Sequence, residues 1–174
     1  MGLQFRLYIN GGNSMNKLYK SQREDPINEY LKDARLLRLT SIKIIKKLPV
    51  SYRYIISNNM LELSTNIYKY CLMFNSIKID NRCFKEDFKI KHEYLSKAKA
   101  SCIALLGEIT FLYELIQDGN NFFEDKKDYG KKFQRWSEIA SKCLNSISKT
   151  LEQLKNKQLQ RNIHNKSNKV YNNK

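Results

Sequence analysis

The chain has 174 residues and a mass of 20.7 kDa, with 32 Lys+Arg against 17 Asp+Glu for a formal net charge of +15. That length suits one domain with a real core, 41% hydrophobic residues exclude a disordered chain, and no apolar run reaches the ~20 residues of a membrane span. A charge excess this large repels itself, so it points to a polyanionic partner: nucleic acid, an anionic surface or an acidic protein.

Residues 1–25 read as a flexible N-terminal extension. They lack a long apolar stretch ahead of a small-residue cleavage site, so no signal peptide is expected and the chain is assigned to the cytoplasm. Gly11 and Gly12 shortly before Met15 resemble a translated ribosome-binding site, which makes Met15 a candidate start.

The first helix is expected over 26–48. Asp25-Pro26 suits a helix start, and Tyr30, Ala34, Leu37, Ser41, Ile44 and Leu48 recur on one face. Pro49 ends it, because the residue before a proline disfavours the α region. A second helix is expected over 51–77, with Ile56, Met60, Leu63, Ile67, Tyr70, Phe74 and Ile77 inward. Residues 78–87 are polar and read as a loop. The third helix, 88–117, carries Leu95, Ala98, Cys102, Leu105, Ile109, Leu112 and Ile116 at helical spacing, and its second half is apolar almost all round. Asp118 to Asn121 form a turn cluster. The fourth helix is expected over 131–157, with Phe133, Trp136, Ala140, Cys143, Ile147, Leu151 and Leu154 inward. Residues 158–174, basic and free of acids, read as a disordered tail. With no strand pattern in competition, the fold class is all-α, an antiparallel four-helix bundle over 26–157.

The sequence offers no catalytic set. It lacks the glycine-rich phosphate loops and the Glu-x-x-His pairs of di-iron bundles. His92 is the one histidine inside the folded part, without a serine or cysteine context, and reads as a partly buried helix residue. Cys71, Cys83, Cys102 and Cys143 are too scattered for a zinc site. Cys71, Cys102 and Cys143 sit on apolar positions, where a reduced thiol acts as a small hydrophobe. The reading is a non-enzyme with no cofactor and no metal.

The basic residues are better organised. On the first helix Lys32, Arg35, Lys43 and Lys46 fall opposite the core stripe, with Arg38 and Lys47 flanking it. On the fourth, Lys131, Arg135, Lys142 and Lys149 do the same, and Lys155, Lys157 and Arg161 continue into the tail. Asp33, Glu138 and Glu152 are the few acids among them. Such ridges suit a phosphate backbone, RNA or DNA, without reading bases, although a solvated helix face also carries lysines. Leu39, Ile42, Tyr68, Leu72, Met73, Ile103 and Phe111 exceed what one bundle seam needs, which points to self-association, a partner or a thicker core.

A run of segments carries a family resemblance: KKLP at 46–49, then SYRYIISNNMLELSTNIYKY, KAKASCIALLGEITFLYEL at 97–115, and FQRWSEIASKCLNSISKTLEQL. The chain resembles the bacterial accessory variability determinants of diversity-generating retroelements, and the related four-helix proteins of intervening sequences in large-subunit ribosomal RNA genes. The resemblance covers about residues 27–155. It implies a barrel-like homopentamer of four-helix protomers with a basic surface that binds nucleic acid and a reverse transcriptase. Such proteins support mutagenic copying of a template RNA into cDNA and are not catalytic. Only the basic positions of the first and fourth helices carry over, by place. The loops at 78–87 and 118–130 and the acid-free tail depart from the compact family pattern. Two other classes stay open: an assembly bundle whose main partner is protein, and a DNA-binding mobilisation accessory protein.

Overall fold

A computed structural model of the chain describes residues 29–80, 83–117 and 126–171. Among these the fold is all-helical: α1 (Glu29–Ile45), α2 (Val50–Ser76), α3 (Phe84–Gln117) and α4 (Lys126–Tyr171). The expected extension 1–25 and the turn at 118–121 lie outside the described residues.

Each helix packs on two others: α1 on α2 and α4, and α3 on α2 and α4. Neighbours run in opposite directions, as three contacts fix. Tyr30 near the start of α1 donates its hydroxyl to Asn75 Oδ1 near the end of α2 (3.1 Å). Asn59, early in α2, donates to Glu108, late in α3 (2.9 Å). Tyr129, at the start of α4, donates its hydroxyl to the Lys47 carbonyl just past α1.

The core follows a seven-residue repeat. Buried positions include Tyr30, Leu37 and Ile44 in α1; Met60, Ile67 and Phe74 in α2; Phe88, Leu95, Cys102, Ile109 and Ile116 in α3; and Phe133, Ala140, Ile147 and Leu154 in α4. A 3.5-residue spacing keeps one narrow seam of each helix facing its neighbours. The inward stripes expected for the first, third and fourth helices are all buried. In α2 the seam is rotated. Leu63, Tyr70 and Ile77 are only half-buried, while Ser57, Ser64 and Cys71 are buried. Tyr70 instead stacks beside Tyr94 of α3 at 6.3 Å between ring centroids. Small residues at the seam let α2 approach closely, and the bulky ring is displaced to the flank.

α1 ends at Ile45, a little before the expected 48, and three other boundaries differ more. The polar stretch before residue 88 begins α3 at Phe84. Glu86 and Asp87 stand in the first turn, where carboxylates complement the exposed N–H groups. Asp87 N–H closes onto the Cys83 carbonyl (2.9 Å), Asp87 Oδ2 accepts from Asp80 N–H (2.9 Å), and Phe84 lies 4.6 Å from Phe88. The polarity was that of a helix start.

α4 begins at Lys126, before the expected 131, and runs to Tyr171, so the stretch from 158 is helical rather than an unstructured tail. The Asp128–Lys132 pair and Tyr129 beside Phe133 hold its first turns. Beyond residue 130 the sequence has neither glycine nor proline to stop it. Arg161, 4.4 Å above the Phe84 ring, ties the extension to the first turn of α3.

Candidate nucleic-acid interface

The two basic ridges meet along one seam. α1 and α4 are registered by Lys47 carbonyl with Tyr129, Ser41 with Trp136, and Asp33 with Lys142. Trp136 Nε1–H donates to Ser41 Oγ (2.9 Å), whose own hydroxyl donates to the Leu37 carbonyl (2.9 Å), so a buried indole and a buried serine satisfy one another. As α1 advances from 33 to 47, α4 retreats from 142 to 129. Lys47 therefore lies level with the start of α4 and Lys131, Lys43 level with Arg135, and Lys32 level with Lys142. Lys32, Arg35, Lys43, Lys46, Lys47, Lys131, Arg135, Lys142 and Lys149 are all exposed. Leu36 and Leu39, each 47% exposed, lie among the α1 cations.

Four expected members stand differently. Arg38 is half-buried on the α2 side, its guanidinium 5.6 Å from the Tyr68 ring and its Nε buried without a hydrogen-bond partner. It belongs to the packing of α1 on α2. Lys155 and Lys157 are exposed on α4 beyond the level of Glu29, so among the described residues no α1 cation stands level with them. Arg161 is engaged with Phe84. Lys157 acts on Lys91 of α3, whose amine is lowered first by burial and then by this like charge.

Asp33, read from the sequence as an acid within the ridge, is buried (4% exposed). It faces α4, where Lys142 Nζ lies 3.2 Å from Oδ1, and Oδ2 has no hydrogen-bond partner. A buried carboxylate needs a cation, and the tip of the exposed Lys142 side chain supplies it. Nothing in the hydrophobic period marks Asp33 as inward, because it sits on the flank of the stripe. Sequence reasoning also missed Arg53. Its Nη2 donates to the carbonyls of Lys46 (2.9 Å) and Leu48 (3.0 Å), closing the end of α1 and fixing the corner that carries Lys46 and Lys47.

Three thiols lie in the core. Cys71, Cys102 and Cys143 are fully buried on α2, α3 and α4, and Cys102 donates to the Ala140 carbonyl (3.3 Å). Burial pushes Cys71 up to about 12. Cys143 is pushed up by its hydrogen bond with Cys102 and by burial. The same hydrogen bond with Cys143 lowers Cys102, whereas Cys71 and Cys143, kept protonated by burial, are packing groups, not nucleophiles. His92 is half-buried, with Nδ1 3.5 Å from Ser96 Oγ. Among the described residues, no group of three or more His, Cys, Asp or Glu is placed to hold a metal ion.

α3 contrasts with α4. It has five lysines against five acids, while α4 has twelve Lys/Arg against three acids. An 18-residue window of α3 has a mean hydropathy of 1.3 and is only 28% buried, so by length and composition this one helix is apolar enough to cross a membrane.

Comparison with known protein families, characterised proteins and solved structures finds no match to this chain.

Proposed function

We propose that this chain is an antiparallel four-helix-bundle protomer that self-associates and binds nucleic acid through the α1–α4 seam. It acts in the cytoplasm as a non-enzymatic accessory to a reverse transcriptase copying a template RNA. One observation carries the nucleic-acid reading: cations from two helices come level with each other along one antiparallel seam, which suits the two flanks of a phosphate backbone. The reverse-transcriptase partner rests on the family resemblance. Backbone contacts of this kind hold RNA or DNA without reading sequence.

The test is the salt dependence of binding to a mixed-sequence RNA. Log affinity is expected to fall linearly with log salt. Changing Lys43, Arg135 or Lys149 to glutamine should each reduce the slope by about 1 and weaken binding equally on unrelated sequences. A slope near zero, or variants that bind as the parent does, would overturn the assignment.

A further inference from the structure

From Ala34 to Leu61 the chain carries Arg35, Arg38, Lys43, Lys46, Lys47 and Arg53 and no acidic residue. This stretch includes the corner from α1 into α2, where Arg53 closes over the Lys46 and Leu48 carbonyls and Tyr129 brings the start of α4 against Lys47. One aromatic ring stands bare at that corner. Tyr54 is 82% exposed, whereas Tyr113 is 43% exposed and the other described tyrosine side chains are buried or packed against the core. Its place explains the exposure. Tyr54, Leu61 and Tyr68 recur every seven residues along one flank of α2, and Tyr68 lies beside Arg38 of α1. Two repeats back towards the start of α2, that flank has passed the end of α1 at Ile45, so no described helix covers the ring. Lys46 and Lys47 follow Ile45 there, both exposed, and Val50, one turn before Tyr54, is exposed as well.

We infer that the nucleic acid held by the seam is single-stranded where it crosses this corner, with one unpaired base stacked on the Tyr54 ring and the adjoining phosphates drawn to Lys46 and Lys47. The inference deepens the nucleic-acid reading of the proposed function and rests on it. In a duplex the faces of each base are already stacked on its neighbours, whereas the bases of an open strand can splay onto an aromatic side chain. A duplex would use the same lysines and leave the ring idle. Stacking of this kind accepts any base, which agrees with cations that contact phosphate alone. A protein surface is the other common occupant of an exposed tyrosine. It fits less well, because a run of cations without an acid selects a strongly anionic neighbour on both sides of the ring.

The experiment titrates the whole chain with a mixed-sequence single-stranded RNA and with the duplex of the same sequence, each across a range of salt. Tyr54→Ala should weaken single-strand binding about tenfold and leave duplex binding unchanged. Its salt slope should match the parent's, because no phosphate contact is lost. Tyr54→Phe keeps the ring and should bind as the parent does, while Tyr54→Leu, apolar but without a π-face, should fall with Tyr54→Ala. Lys46→Gln should instead lower the slope by about 1 on both RNAs. Far-UV circular dichroism and retained duplex binding show that each variant is folded, as expected for an exposed position. Tyr54→Ala binding the single strand as the parent does, or losing the duplex equally, would overturn the inference and leave the nucleic-acid reading standing on its salt slope. So would Tyr54→Leu binding as well as Tyr54→Phe. A Tyr54→Ala chain that sediments differently while its RNA affinity holds would make the ring a protein contact and overturn it too. A parent that binds neither RNA would remove the inference and the nucleic-acid reading together.

Discussion

α3 and α4 are neighbours with similar seams and opposite outer faces. Both bury small and aliphatic residues every seven positions, and both contribute a cysteine to the core. Outside the seam, α4 presents lysine and arginine, and the second half of α3 presents alanine, isoleucine, glycine and phenylalanine. Since the shared core accounts for the inner sides of both, the outer difference must be explained by what each face meets. Charge with few acids suits a polyanion; neutrality with apolar groups suits an apolar partner surface. The +15 is thus distributed: most of the excess stands on α1, its following corner and α4, while the charges of α3 balance.

The largest effect should come from breaking what both faces share. Trp136 is fully buried and joined to Ser41 of α1. Trp136→Ala is expected to cost about 3–5 kcal/mol, losing RNA binding and self-association in a single thermal transition. Trp136→Phe keeps most of the packing, and Ser41 still donates to Leu37, so it should cost much less. Differential scanning calorimetry with sedimentation checks this. Self-association that survives loss of the α1–α4 side would mean the two faces belong to separately folded units.

The contrast was only partly legible in the sequence. The periods of α1, α3 and α4 are clean because nearly all their seam residues are apolar, so most buried positions could be read directly, Leu31, Asp33 and Ile45 of α1 excepted. α2 misled because burial follows geometry rather than hydrophobicity: Ser64 and Cys71 occupy the seam while Leu63 and Tyr70 flank it. The start of α3 was hidden because helix N-termini and loops favour the same acids. The cations were visible residue by residue, but their convergence depends on the register of α1 against α4, set by a serine, an aspartate and a backbone carbonyl without periodic signature. Asp33 shows the cost most plainly. Its charge was counted with the surface, and only the packing of α4 reveals that it draws on Lys142.

A smaller effect should appear on raising the pH. Cys71 in the folded chain ionises near 12 rather than the ordinary 9.0, and burial also raises Tyr30. An acid whose folded value is raised favours the folded state fully below its unfolded value. That stability is lost as pH climbs, because only the unfolded chain releases the proton. Urea-unfolding midpoints should therefore hold below pH 9 and fall above it, by about 1 kcal/mol at pH 10 from Cys71. Cys71→Ala should be less stable at neutral pH and flatter in alkali. An unchanged slope would mean that the thiol layer is open to water. Because the layer joins α2, α3 and α4, the decline should weaken the basic seam and the α3 face together, which separates it from any lysine titration acting on RNA binding alone.

The finest test lies within the basic side. Lys142 and Lys149 both stand on the outer face of α4, but Lys142 is held by the buried Asp33, and Lys149 has no ion pair among the described residues. The Lys142 amine, 64% exposed, thus divides its charge between a buried carboxylate and the surface. Lys142→Gln leaves Asp33 buried without a cation and should cost about 1 kcal/mol of stability, while weakening RNA binding less than Lys149→Gln. Asp33→Asn removes the internal claim on the amine. In that background Lys142→Gln should cost little stability and weaken binding as much as Lys149→Gln, a coupling that a double-mutant cycle of melting and RNA titration measures directly. If the two lysines contribute equally to binding whether or not Asp33 is charged, Lys142 is a surface cation like the others, and the seam is organised by Ser41 and Trp136 alone.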